Sequence, residues 1–346
     1  VKVSGGRRIL ITGLASFWGG RVARALESQD DVETIIGLDT TEPVVALERT
    51  EFVRSDDRYS ILARIVRATQ VDTVVHASLI VDSTRSGSRR IHENNVIGMI
   101  NLLAALASPD SAVRHLVVKS SALVYGAGPH DPYWFRETTP RTAPARTPIE
   151  RSLLEVESLL QGFDEESPQV TVALLRFANV LGDEIVTPLS KALDLPLVPT
   201  IAGFDPQMQF VEETDVVRSI EFAVRNRLAG IYNVAGDGRL PWSEIAAIAG
   251  RRPLFLPALL TASPLARLGP LDLPREVTDL LRYGRGVDNR RLRESGFVYR
   301  YSTADAVRHF VEGRRLRRAT TARASYRYDS DVETWFRHSP AVVRPG

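Results

Sequence analysis

The stretch RRILITGLASFWGG at residues 7–20 constrains the fold of this chain more than any other. A short apolar run at 9–11 meets Thr12-Gly13, and a helical pattern begins three residues after Ser16. That order reads as a strand, a tight turn and a helix N-terminus. In such a unit the free backbone N–H groups and the positive end of the helix dipole converge on one point, which suits an anion such as a dinucleotide pyrophosphate. Gly13 permits the turn, and Gly19 lets the helix lie close on the strand. The usual spacing has a middle glycine where this chain has Ser16. A Cβ there limits how closely backbone and phosphate approach, while the hydroxyl can donate to the anion. A second apolar run at 34–38 closes on Asp39, about twenty residues past the turn, where a carboxylate binds a ribose 2′-hydroxyl. A carboxylate at that point repels a 2′-phosphate, and no Arg follows directly, so the pattern favours NAD over NADP.

Strand-like and helix-like segments alternate through the first half. Strands are expected at 9–12, 34–38, 51–53, 71–77, 115–119 and 170–176, and helices at 19–28, 61–69, 91–107 and 149–162. Alternation of this kind predicts an α/β fold, a Rossmann-type doubly wound parallel sheet covered on both faces. In the helix at 91–107 the apolar positions are 96, 99, 100, 103, 106 and 107. Pro188, Pro196, Pro199, Gly203 and Pro206 break the second half. A helix at 213–226 and a strand at 230–234 return to the sheet. The predicted organisation is therefore a dinucleotide-binding domain at 1–177 plus 211–236 and a smaller, irregular substrate lobe at 178–210 plus 237–302. A C-terminal helix with Ala304, Val307 and Val311 on one face and a basic tail complete it at 303–346.

Composition removes several classes of function. The chain has 346 residues, 44% of them hydrophobic, and no cysteine, which excludes disulfides, thiolate catalysis and Cys-ligated zinc. No apolar run reaches the ~20 residues of a membrane span, and a cytoplasmic protein is the expectation. Net charge is +2 with a pI of about 9.0, and the basic residues are almost all Arg, with Lys only at 2, 119 and 191. The Arg-rich stretch from 285 to 327 reads as a solvated helix face and connector. Its aromatic residues are not interleaved as a base-stacking platform requires, so no nucleic-acid partner is expected. The apolar, proline-punctuated stretch at 256–275 reads as a loop over a cleft. No set of His and carboxylates has ligand spacing, so no metal is expected.

Several segments, in order, resemble the extended short-chain dehydrogenase/reductases, the group of NAD-dependent sugar-nucleotide epimerases and dehydratases. These are Thr12 to Gly19 at the phosphate turn, Asp39 at the ribose, and FVRSDD at 52–57, similar to a segment whose Asp contacts the adenine amine. VVHAS at 74–78, NVIG at 95–98, SSALVYG at 120–126 and LRFANVLG at 175–182 follow. FVEETDVV at 210–217 and YNVAG at 232–236 complete the pattern, which covers residues 7–312. The resemblance implies cofactor contacts at Gly13, Ser16, Phe17, Trp18, Gly19, Asp39, Asp56, Asp57, Ala77, Ser78, Asn95, Ser120 and Phe177. It implies a substrate contact at Asn179 and NAD as cofactor. It also implies a homodimer through helices 91–107 and 149–162, with Leu102, Leu106, Leu154 and Leu159 available to the interface.

The pattern departs where the chemistry sits. Members of this group carry a Tyr and a Lys four residues apart on the helix after the serine strand, so that both lie on one helix face. The Lys lowers the Tyr pKa, and the phenolate takes a hydroxyl proton as hydride leaves. Here TPIERSLLEVE at 147–157 puts Ile149 at the Tyr position and Leu153 at the Lys position, in one apolar stripe with Val156 and Leu160. Ser121 remains. Tyr125, Glu150, Tyr133 and His130 are the alternative proton acceptors, whereas His76 and His92 read as packing or polar-satisfying residues. Glu212 stands where the group often has His. Three functions are compatible with this: an NAD-binding protein, inactive or noncanonical, on a nucleotide-sugar-like or other bulky ligand; an active epimerase or oxidoreductase with a relocated base; and a non-enzymatic scaffold or sensor.

Overall fold

The fold is taken from a computed structural model that describes residues 6–84, 86–132, 134–258 and 273–324, with His338. Most of the 256–275 stretch, Tyr133 and most of the basic tail lie outside the described residues.

Seven parallel strands form the central sheet. They are β1 (Arg7–Thr12), β2 (Val32–Asp39), β3 (Thr50–Arg54), β4 (Thr73–His76), β5 (His115–Ser121), β6 (Thr171–Phe177) and β11 (Gly230–Val234). Their spatial order is β11-β6-β5-β4-β1-β2-β3. The order reverses between β1 and β4, which opens a crevice at the carboxyl ends of those strands. Helices α1 (Gly19–Glu27) and α7 (Glu213–Asn226) cover one face, and α2 (Tyr59–Thr69), α4 (Gly98–Leu106) and α5 (Pro148–Glu166) cover the other. β1 and β4 are apolar on both sides because both faces are covered, so Ile9, Leu10, Ile11, Val74 and Val75 are all fully buried.

The segment expected as one helix at 91–107 is a short helix at Ser88–His92, a π-helical turn at Glu93–Ile97 and then α4. A π turn holds one extra residue and rotates everything after it. The buried positions consequently become Met99, Leu102, Leu103, Ala105 and Leu106, while Ile100 is 42% exposed. Leu102 and Leu106, expected to be available to a partner, are spent in the core of this chain. Leu154 and Leu159 are partly buried against the same core.

α5 starts where its sequence dictates. The Thr147 hydroxyl accepts from the Glu150 N–H at 3.3 Å, and Pro148 occupies the first turn, where its missing N–H costs nothing. Its inner face buries Ile149, Leu153, Val156 and Leu160 against Val118, Ala122 and Val124.

The second lobe has its own core, in which Trp242, Phe210, Leu193, Leu280 and Phe310 pack together. Its strands pair in twos: β7 (Asn179–Leu181) with β10 (Phe210–Glu212), β8 (Leu197–Ile201) with β13 (Arg252–Leu256), and β9 (Gln207–Met208) with β12 (Leu240–Pro241). The helix Thr303–Ala324 turns Thr303, Ala306, Val307 and Phe310 inward, leaving Ala304 and Val311 partly buried. Phe310 sets that rotation, because it is the largest apolar side chain on the helix and fills the lobe's core.

Leu153→Ala is expected to cost about 2–5 kcal/mol, since a fully buried leucine leaves a cavity the rigid sheet does not close. Urea unfolding measures it, and a loss of only a few tenths of a kcal/mol contradicts the packing described.

Candidate functional site

Two cavities open at the carboxyl ends of β1, β4, β5 and β6, joined by the turn between β1 and α1. The first is a cleft of about 820 Å³, and the second is a smaller pocket of about 120 Å³. Ser16 lines the first and Trp18 the second.

The turn itself is tight for steric reasons. Gly13 has φ +76°, and a Cβ there would sit 2.6 Å from the Ser78 Cα. A Cβ at Gly19 would stand 2.1 Å from the Gly13 carbonyl oxygen. Neither position accepts a side chain. The Ser16 hydroxyl accepts from the Gly19 N–H at 3.0 Å, so the residue in the middle-glycine position caps α1. Among the described residues, the N–H groups of Phe17 and Trp18 find no backbone acceptor. They remain available to an anion at the helix N-terminus.

Asp39 holds the far wall of the turn. Its carboxylate accepts from the Ala15 N–H at 2.9 Å and from the Thr40 N–H at 2.7 Å, and it borders the cleft. Asp56 and Asp57 line the same end, with Asp56 paired to the Arg58 guanidinium at 2.7 Å. Burial, reinforced by the charges of Asp39 and Asp56, pushes the Asp57 carboxyl up to about 6. The cleft thus combines an anion-accepting turn with carboxylates that begin at its wall with Asp39 and continue with Asp56 and Asp57. This suits a dinucleotide whose pyrophosphate sits at the turn and whose unphosphorylated ribose meets Asp39.

The remaining expected cofactor residues divide. Ser78 lines the cleft, and its hydroxyl lies 3.2 Å from the His76 Nε2. His76 is buried and bonded to the Thr12 hydroxyl at 2.7 Å, and desolvation pulls its pKa down to about 4, so its ring is neutral. Ala77 is buried between the turn and the core. Asn95 is turned inward by the π segment. It accepts from the Ile80 N–H at 2.8 Å and donates to the Ile80 carbonyl at 2.9 Å and the Ser152 hydroxyl at 3.1 Å. The cleft wall there is Asn94, which donates to the Ser78 carbonyl at 2.8 Å. Ser120 faces Glu157 on α5, and Phe177 is buried in the sheet's core. Phe17 carries the Arg21 guanidinium 3.8 Å over its ring and packs edge-on to Trp18.

The second pocket holds Trp18, Ser121 and Asn179. Of the alternative proton acceptors, Tyr125 is bound elsewhere: its hydroxyl donates to the Asn233 side chain at 2.8 Å and accepts from Arg176 at 2.7 Å, and burial raises its pKa. Glu150 is locked between Arg141 at 2.7 Å and the Arg146 N–H at 2.8 Å. His130 is exposed on the loop after Gly126. Glu212 caps α7 through the Thr214 N–H and faces His309. Ile149 and Leu153 are fully buried and border neither cavity.

Lys119 and Glu276 are pocket residues that were not singled out from the sequence as site residues. Lys119 lines the second pocket, as does Glu276, which accepts from the Ser83 hydroxyl. Lys119 had a legible signal: it lies two residues before Ser121, and strand residues at that spacing share a face. Glu276 had none, because its position depends on how the second lobe folds back.

The sequence matches the NAD dependent epimerase/dehydratase family over residues 9–235. It is 35% identical over 317 residues to an uncharacterized protein of Mycobacterium tuberculosis, covering 89% of this chain and 84% of that one. It is 34% identical over 125 residues to a UDP-glucose 4-epimerase of Yersinia pestis, 36% of either chain. Among solved structures, the dTDP-glucose 4,6-dehydratase DesIV of Streptomyces venezuelae with NAD and TYD bound matches with a TM-score of 0.69 at 24% identity, covering 90% of this chain and 98% of that one. The UDP-glucose 4-epimerase of Thermotoga maritima with UDP-glucose gives a TM-score of 0.68 at 18% identity, covering 90% and 99%. At those identities the likeness is one of fold.

Two outcomes test this geometry. Gly19→Ala is expected to destabilise by about 1–3 kcal/mol, through overpacking of the turn; a melting temperature equal to wild type would contradict the close approach. Asp57 binds a proton in the folded chain at pH values where it is already ionised in the unfolded one. Its contribution therefore makes stability fall as pH rises from about 4 to about 6, and the full penalty stays above that. Asp57→Asn should remove this slope and melt higher than wild type at pH 7, by about 2 °C or more.

Proposed function

The chain belongs to the NAD dependent epimerase/dehydratase family, and from that premise we propose that it binds NAD in the large cleft. In this reading a nucleotide-linked sugar, or a ligand of similar bulk, lies over Ser121 and Asn179, without the family's Tyr–Lys pair. The observation that carries the cofactor reading is the presence, in one cleft, of a turn at Gly13 and Gly19 that admits no side chain and of the carboxylates Asp39, Asp56 and Asp57. Two unpaired phosphate charges beside those carboxylates would be repelled, so NADP is disfavoured. NAD, when bound, supplies a hydride acceptor. The chain's own residues supply the rest: the Phe17 and Trp18 N–H groups meet the pyrophosphate, Asp39 meets the ribose, and Ser121 presents a hydroxyl to the ligand.

The reading of the missing pair is supported by the packing of Ile149 and Leu153, which sit at the Tyr and Lys positions of the family pattern as fully buried core residues. The usual phenolate mechanism has no residue to carry it in α5. The nucleotide-sugar part of the proposal is motivated by similarity to enzymes that act on UDP-glucose and dTDP-glucose.

Calorimetric titration with NAD tests the cofactor reading. Asp39→Asn and Asp39→Ala should weaken binding by about 10–100-fold, the worth of a hydrogen bond to a charged group. NADP should bind wild type at least tenfold more weakly than NAD, and a wild-type protein that binds no NAD at all removes the reading.

A further inference from the structure

Lys119 is an anomaly by every rule of folding. It is only 3% exposed. Among the described residues it has neither a hydrogen-bond acceptor nor a carboxylate partner; the nearest compensation is the Trp18 ring, whose centroid is 5.7 Å from Nζ. That is the outer limit of a useful cation–π contact. An ammonium so little exposed and without an anionic partner is costly, and a methionine of similar shape would fill the same space without that cost. The position of the amine has a use, because Lys119 and Ser121 lie two residues apart on β5 and both line the second pocket with Trp18 and Asn179.

We propose that Lys119 is the proton acceptor of this pocket, taking the proton of a sugar hydroxyl held by Ser121, the task a tyrosine performs in the family pattern. The proposal rests on the cofactor and ligand reading above and names the base which that reading left open. The reaction balances within the proposed components. The hydroxyl-bearing carbon loses its C–H bond, with both electrons, to the nicotinamide, and is oxidised as the dinucleotide is reduced. The O–H bond breaks, its electron pair closes the carbonyl, and the proton passes to Nζ, turning a neutral amine into an ammonium. Return of the hydride and the proton regenerates the amine.

The amine's surroundings suit the task. Burial lowers the Lys119 pKa to about 8, so a useful fraction is neutral near neutral pH. A base works best when its pKa lies near the operating pH. The other ionisable side chains lining the pocket are Asp82, from the loop after β4, and Glu276, from the helix Arg275–Tyr283. Burial raises the Glu276 pKa, toward its neutral form. The same desolvation acts on the acid and on the amine.

The test uses wild type, Lys119→Met and Lys119→Arg, loaded with NAD and mixed with UDP-glucose or dTDP-glucose. With only three lysines in the chain, trace acylation by acetic anhydride followed by mass spectrometry reads each amine separately. The sugar nucleotide should slow acylation of Lys119 at least fivefold while leaving the exposed Lys191 unchanged. Absorbance of reduced nicotinamide should appear in wild type, with a rate rising with pH through about 8. It should fall by about 10²–10⁴ in Lys119→Met and Lys119→Arg, since a guanidinium does not give up its proton. Lys119→Met should melt at or above the wild-type temperature, which separates loss of the base from loss of the fold. NAD titration of wild type is done first: no binding removes the cofactor reading and this inference with it. A protein that binds NAD but whose Lys119 is indifferent to both sugar nucleotides, or whose Lys119→Met variant reduces NAD at the wild-type rate, overturns this inference alone.

Discussion

The contact between the first turn of α1 and the end of β1 is the constraint on which the rest of the molecule depends. Gly19 lies so close to the Gly13 carbonyl that a single carbon has no room between them. Because α1 is seated at that distance, its N-terminal N–H groups face the crevice where the strand order reverses. Asp39 reinforces the arrangement from β2 by accepting from the Ala15 N–H. The same carboxylate therefore shapes the turn and offers its charge to whatever the cleft holds. Trp18 leaves the turn on its other side and becomes the wall of the second pocket, so one rigid loop sets the spacing between the two cavities.

The two cavities differ in the charges they gather. The cleft gathers carboxylates, and there burial first and the charges of Asp39 and Asp56 second raise the pKa of Asp57. The pocket is lined largely by apolar groups, and there desolvation acts on Lys119 and Glu276 in opposite directions of pKa but toward the same uncharged state. α5 contributes the branched aliphatic side chains of Ile149 and Leu153 to the core.

Much of the architecture was readable from local pattern. Residues 213–226 and 230–234 form a helix and a strand with the expected bounds, because amphipathic spacing and an apolar run were both unambiguous. The segment at 91–107 was readable as helical but not in its phase. The π turn at 93–97 is held by the Asn95 amide, whose bonds to Ile80 and Ser152 come from parts of the chain 15 and 57 residues away. No local pattern encodes that. The same reason exposes Ile100 and buries Leu102 and Leu106. Tyr125 and Glu150 illustrate the converse for the site, since each had chemistry suited to a proton acceptor, yet each is bonded to an arginine brought in from elsewhere.

The sequence by itself determined the strand–turn–helix at residues 7–27, the acidic residue that follows it, the parallel α/β sheet and the aliphatic residues at 149 and 153. These depend on backbone geometry and on periodicity, which act over a few residues. Only the tertiary structure decided which polar groups are free and which are spent. It turned Asn95 inward and Asn94 to the cleft, tied Tyr125 to Arg176 and Asn233, and left Lys119 facing a pocket that Glu276 of the second lobe helps to line. Burial and partnership are properties of the surroundings of a side chain, and those surroundings are assembled from segments far apart along the chain.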